Sequence, residues 1–148
     1  MKLKVFAWLL SQDRLNTRNM LKRRHYNIRD DHNCLLCDHG IEEMVEHMIF
    51  TCVLSKRCWS KLDISWGPFL GRLQAIQEHK NKQSSPLFLE TFIMAAWSIW
   101  KERDNQHFRA IPPSFQSWLE RFKKDFGLLQ YKVKEAHKPL LLNLVNSL

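Results

Sequence analysis

The sequence predicts a mainly α fold: short helices around a cysteine–histidine knuckle, then two or three longer helices packed as a small bundle. Three observations predict it. Cys34, Cys37, His47 and Cys52 follow one another as Cys-x2-Cys, nine residues, His, four residues, Cys. Behind Ser85–Pro86, residues Leu89, Phe92, Ile93, Ala96, Trp97 and Trp100 fall at i, i+3, i+4, i+7, i+8 and i+11. Behind Ser114, residues Phe115, Trp118, Leu119, Phe122 and Phe126 repeat that rhythm, which is the period of a helix with one apolar face.

In chain order, Lys4 to Leu10 is dense in Val5, Phe6, Trp8, Leu9 and Leu10 and reads as a short helix with one apolar side. Asp13–Arg14–Leu15–Asn16 marks a break. Thr17 is the expected N-cap of a second helix, with Met20 and Leu21 inward and Arg18, Lys22, Arg23 and Arg24 outward. Lys22–Arg23–Arg24–His25 reads equally as a short nuclear signal or as an exposed helix end.

The knuckle follows. Two soft thiolates two residues apart grip one metal from one side. An imidazole and a third thiolate complete a tetrahedron, the donor set of a closed structural Zn²⁺ site. All four places are taken by side chains, so none stays open for a reactive water. A redox dithiol would want the first cysteine between a strand and a helix. Here Asn33 precedes the pair and Asp38–His39–Gly40 follows it, as in a turn. Four cysteines also allow two disulfides, but Met1–Lys4 is no secretory signal and the composition is not disulfide-dense.

His32 and His39 flank the knuckle and compete with His47 for the metal. His47 is better placed, because Glu43 to Met48 reads as a helical turn aimed at the knuckle. Residues five apart on a regular helix differ by about 140° of rotation. His47 and Cys52 therefore require the helix to tighten, widen or end near Phe50–Thr51. Cys58 forms an apolar row with Leu54 and Leu62 and reads as a buried free thiol on a helix over about 54–62, beside Trp59. A small two-strand ribbon at the knuckle is compatible with this spacing.

Gly67–Pro68 marks a turn, 70–82 has weak helical periodicity, and the polar run 81–85 is the best linker candidate. Ser85 suits an N-cap and Pro86 a first helical position. The 87–100 helix, widened by Phe88, Ala95 and Ile99, is either a central core helix or a partner surface. It turns polar from Lys101 to Arg109 and stops before Ile111–Pro112–Pro113. The aromatic stripe 115–126 is expected to dock on it as core rather than to stack bases. Gly127 ends that helix or bends it. Residues 128–137 read as helical again with an outward Lys132, Lys134 and Lys138. Pro139 breaks this stretch, and 140–148 is an apolar tail. The division is 1–66 zinc-binding domain, 67–85 loop and linker, 86–148 helical region packed on it.

A chain of 148 residues is one domain or one small domain with an appendage. With few Gly and Pro and six Trp and nine Phe, it is expected to bury a real core. The longest near-apolar run, 87–100, is too short for a bilayer and contains Glu90, which leads us to expect a soluble protein of the nucleus or cytoplasm. The net charge of +8 is uneven: residues 1–30 hold eight Lys/Arg against two acids, and 31–63 hold three against six. A basic leading segment is the footprint of a polyanion, or else a solvated face. Asp30–Asp31 lacks the apolar strands of a polymerase palm, there is no Gly-x-Ser-x-Gly, and four glycines leave no phosphate loop. No catalytic residue is assigned and no small-molecule substrate is expected.

Phe6–Ala7–Trp8, Asp13 to Thr17 and Leu21 to Arg24 lead into the knuckle. Glu43, Val45, Glu46–His47, Phe50, Cys52 and Cys58–Trp59 follow it. This combination resembles the reverse-transcriptase zinc-binding domain of plant non-LTR (LINE-type) retrotransposons, well over about the first 60 residues and loosely over 87–110, where Trp97 to Arg103 is similar to the trailing segment. The resemblance implies a zinc module downstream of a polymerase core, with Cys34, Cys37, His47 and Cys52 as ligands and contact with nucleic acid. The chain departs from the family in its short lead before Phe6 and in Val53, where many members have Pro. The short lead leads us to expect a free-standing fragment.

Two functions follow as expectations. The first is a nucleic-acid-binding zinc module, preferring RNA or single strands, in which Arg14, Arg18, Lys22, Arg23, Arg24 and Arg29 meet phosphates with Lys2 and Lys4, and Tyr26 stacks on a base. The second is a zinc-stabilised protein-interaction or self-association module using helix 87–100 and the tail 140–148.

Overall fold

The computed structural model describes residues 3–26, 31–67, 71–82 and 85–148. The expected turn at Pro68, part of the 81–85 linker, Lys2 and Arg29 lie outside these residues.

Helix α1, Leu3–Ser11, turns Phe6 and Leu10 inward, one turn apart. It ends where Asp13 adopts φ 53° and the Arg14 N–H donates back to Leu9 O at 2.8 Å. Helix α2, Arg18–Arg23, starts as expected from Thr17, whose Oγ1 accepts the Met20 N–H at 3.1 Å. The knuckle loop then runs out and back. The Cys34 N–H donates to Ile41 O at 2.7 Å and the Glu43 N–H to His32 O at 2.9 Å. The compatible ribbon is reduced to one antiparallel bridge, Asn33 with Glu42. Gly40 turns the loop at φ 67°, a region that a side chain would strain.

A π-helical turn, Glu46–Thr51, follows, and α3 spans Val53–Lys61. They are clamped together by the Ser55 hydroxyl donating to Met48 O and by Trp59 Nε1–H donating to Ile49 O at 2.7 Å. Helix α4, Arg72–Lys82, lies inside the stretch read as loop and linker. Its Arg72 guanidinium reaches Leu10 O at 3.0 Å and Ser11 O at 3.2 Å, satisfying carbonyls at the end of α1, and pairs with Glu46 at 3.0 Å.

Helix α5, Phe88–Arg109, is the centre of the fold and packs on α1, α3, the π turn and α6, Phe115–Gly127. The choice between core helix and partner surface thus falls on core. Its start is two residues later than expected. Ser85 Oγ accepts the Leu87 N–H at 3.2 Å in a turn, and the N-cap position belongs to Leu87. The widened stripe is buried at Phe88, Phe92, Ala95, Ala96, Ile99 and Trp100, but Leu89 is exposed and the buried side also takes in Thr91, Glu102 and Arg103. The polar end after Lys101 is therefore partly interior. Ala110 closes the helix at φ 52°.

Ser114 caps α6 as expected, accepting the Ser117 N–H at 3.0 Å. The aromatic stripe is core: Phe115, Trp118, Phe122 and Phe126 stack in succession with centroids 5.8, 5.4 and 5.0 Å apart. Trp118 Nε1–H donates to Ala95 O of α5 at 3.2 Å. Residues 128–137 are not a regular helix. They form two 3₁₀ turns, Leu128–Tyr131 and Glu135–His137. Pro139 then opens a helix instead of breaking one, because a proline in the first turn forfeits no hydrogen bond. That helix, α7, spans Lys138–Ser147 and buries Leu141 completely.

One continuous apolar cluster runs from Phe6 through Phe50, Trp59 and Phe92 to Leu141. Trp59 and Phe92 stack at 5.4 Å, so α3 and α5 share one core layer. Among the described residues no helix is long and apolar enough to cross a membrane.

Candidate metal centre

The knuckle loop supplies Cys34 and Cys37, the π turn supplies His47, and the residue between the π turn and α3 supplies Cys52. The four donor atoms all lie within 4.8 Å of one another. Tetrahedral Zn²⁺ with sulfur at about 2.3 Å and nitrogen at about 2.05 Å sets donors roughly 3.6–3.8 Å apart. The observed 3.4 Å between Cys37 Sγ and His47 Nε2 fits that scale. Neither His32, His39 nor Cys58 belongs to this cluster; Cys58 is buried and free.

The five-residue spacing between His47 and Cys52 is resolved by widening. In the π turn the Cys52 N–H donates to His47 O at 2.7 Å, an i to i+5 bond. One such wide turn brings both donors to one side, which an α-helical turn cannot do.

His47 Nδ1 lies 3.3 Å from Thr51 Oγ1, four residues along the same turn. In the tautomer that leaves Nε2 to the sulfurs, Nδ1–H donates to Thr51 Oγ1, which holds the ring. Around the thiols, the Leu36 N–H donates to Cys34 Sγ at 3.4 Å. The Leu54 and Ser55 N–H dipoles favour the Cys52 thiolate without closing a capping hydrogen bond. The Cys34 thiol donates to Cys52, which holds Cys52 down at about 5. That shared proton, with burial, pushes Cys34 far up, and burial pushes Cys37 up. Three thiols thus crowd one spot where a single thiolate is the stable state without a cation. A divalent ion removes that conflict, and the donor set suits zinc.

Residues 1–59 match the family model described as zinc-binding in reverse transcriptase. No curated protein and no solved structure matches the chain. The matched segment contains all four clustered residues and stops inside α3.

Within the matched segment, between Cys37 and His47, sits a buried carboxylate. Glu43, 0% exposed, accepts the Arg18 N–H at 3.0 Å on Oε1 and the Leu35 N–H, inside the knuckle, at 3.1 Å on Oε2. Arg103 of α5, also buried, donates to Oε1 from Nε at 3.0 Å and from Nη2 at 2.8 Å, and to Asn16 O at 3.2 Å. One ion pair therefore joins α2, the knuckle and α5. Sequence reasoning missed it, as it missed Thr51. Glu43 and Arg103 both stand in the family words, but nothing local pairs residues 60 apart.

The residues expected to meet nucleic acid do not form one free patch. Arg18 bonds Asp31 and Asn33 O, Lys22 bonds Glu42, and Arg23 bonds Asp13, each at 3.1 Å. The acids of the knuckle thus offset much of the basic segment. Arg14 and Arg24 are exposed and carry no carboxylate partner among the described residues, and Tyr26 is exposed. Arg29 lies outside the described residues.

Proposed function

We propose that the chain is a non-catalytic module of retrotransposon reverse-transcriptase origin, in which Cys34, Cys37, His47 and Cys52 hold one structural Zn²⁺ and the basic N-terminal segment contacts nucleic acid, RNA or single strands. The observation that carries the metal assignment is the mutual closeness of the four donors. Full coordination by side chains leaves no place for a metal-bound water, which favours a structural over a catalytic ion. Residues 1–66 are the zinc-binding part, 67–85 the connection and 86–148 the helical region packed on it. A nuclear or cytoplasmic location goes with this reading.

Arg14, Arg24 and Tyr26 are ready for phosphate and base contact. Lys22 and Arg23 reach a phosphate by exchanging exposed ion pairs of small net strength, about 0–1 kcal/mol. The alternative, a protein-interaction module, has lost one of its surfaces, because the apolar side of α5 is buried in the core. It retains α7, where Leu140 and Leu142 are exposed.

Metal analysis of the purified protein tests the first half: one zinc per chain is expected, lost in Cys34→Ser and in His47→Ala. Titration of labelled RNA at rising salt tests the second. Affinity should fall as salt rises, with a log–log slope of about −0.7 per phosphate met. A protein with no bound metal, or one that ignores RNA at low salt, refutes the corresponding half.

A further inference from the structure

The structure leaves one tryptophan in water. Of the six, all described, Trp59, Trp100 and Trp118 are buried and Trp66 and Trp97 partly so, but Trp8 is 53% exposed. A flat aromatic ring half in water is a surface on which another flat group can stack. Its surroundings state what kind of partner fits. Lys4 is exposed one turn back on the same face of α1. The reversal of chain at Asp13 brings the Arg14 guanidinium over one face of the Trp8 ring, 5.8 Å from its centroid and near the outer limit of a cation–π contact, while the ring stays 53% exposed. Asp13, the nearest carboxylate in sequence, is bonded to Arg23 at 3.1 Å. Among the described residues neither Lys4 nor Arg14 is in an ion pair, so both keep their charge for an outside anion.

A flat exposed ring between two uncompensated cations matches a strand that presents unstacked bases and phosphates together. A duplex hides the base faces that such a ring would need. We propose that Trp8 is a stacking platform for a base of a single-stranded nucleic acid, with Lys4 and Arg14 on the adjoining phosphates. This rests on the nucleic-acid reading above and moves its aromatic contact from Tyr26 to Trp8.

The test uses the full zinc-loaded chain and a fluorescein-labelled 15-residue oligouridylate, read by anisotropy, beside an abasic strand of the same length. Trp8→Phe keeps a flat ring; Trp8→Leu keeps apolar bulk without one. The expected result is binding within about 3-fold of the intact chain for Trp8→Phe and at least about 10-fold weaker for Trp8→Leu. The abasic strand should bind the intact chain and Trp8→Leu alike. Arg14→Ala should reduce the salt slope by about 0.7. Equal oligouridylate affinity of Trp8→Leu and the intact chain overturns the stacking role and leaves the nucleic-acid reading standing. A dimer that Trp8→Leu dissolves without changing oligonucleotide binding also overturns it, assigning the ring to a second copy. No binding by the intact chain overturns both.

Discussion

At the residue scale, the proposed metal centre would depend on groups that never touch the ion. In the tautomer that leaves Nε2 free for a metal, His47 Nδ1–H donates a hydrogen bond to Thr51 Oγ1, which fixes the ring with Nε2 toward the sulfurs. Thr51→Val keeps the shape but removes the oxygen. We expect it to weaken zinc by about 10-fold in competition with a chelating dye, while the circular dichroism of the loaded protein is unchanged. The thiols set a pH dependence whose sign is fixed. Cys34 and Cys37 are pushed up and hold their protons at neutral pH, whereas Cys52, at about 5, is already ionised. Zinc must therefore displace about two protons, so affinity rises near neutrality by about two log units per pH unit and acid expels the metal. Dye competition at three pH values around 7 measures that slope. A slope near zero would mean that the thiols are not the ligands.

At the scale of elements, the π turn and the Glu43–Arg103 pair do separate jobs. The π turn solves a problem visible in the spacing, since His47 and Cys52, five positions apart, cannot share one face of an α-helix. The ion pair solves one that was not visible. It satisfies amides at the start of α2 and inside the knuckle and ties both to α5. Removing one partner leaves a charge buried without compensation, at a cost of roughly 3–5 kcal/mol. Arg103→Met is expected to lower the melting temperature of the zinc-loaded protein by on the order of 10 °C. Adding Glu43→Gln, which takes away the stranded charge, should recover part of that loss, so a double-mutant cycle will show strong coupling. Additive losses would remove the pair from this role.

Over the whole molecule, the stretch with the family pattern and the folded unit differ in extent. The match ends at residue 59, yet Phe6, Phe50 and Trp59 of that stretch are covered by Trp97, Trp100 and Phe92 of α5. Residues 1–66 produced alone should bind zinc through the knuckle but show weak near-ultraviolet dichroism and broad unfolding, in contrast to the full chain. Chelation of the full chain should unfold at least residues 30–60, because structural zinc contributes on the order of 10 kcal/mol in small modules. Sharp cooperative unfolding of 1–66 would contradict the shared core. The aromatic stripe of α6 was legible as core because its helical period is unbroken. The basic character of the first 30 residues was legible too, but not its distribution. Partners for Arg18 and Lys22 come from the acidic knuckle, brought near only by folding.

What can be read from the chain is what a dozen consecutive residues encode: the ligand spacing, the Thr17 and Ser114 caps, and the helical rhythm of the apolar positions. These are contests between neighbouring groups, and the winner is written locally. The tertiary structure decided which histidine turns inward, which basic residues stay unpaired, that Arg103 meets Glu43, and that Trp8 faces water. Each of these depends on distances between segments far apart in the chain, set by how α1, the knuckle and α5 close around one core.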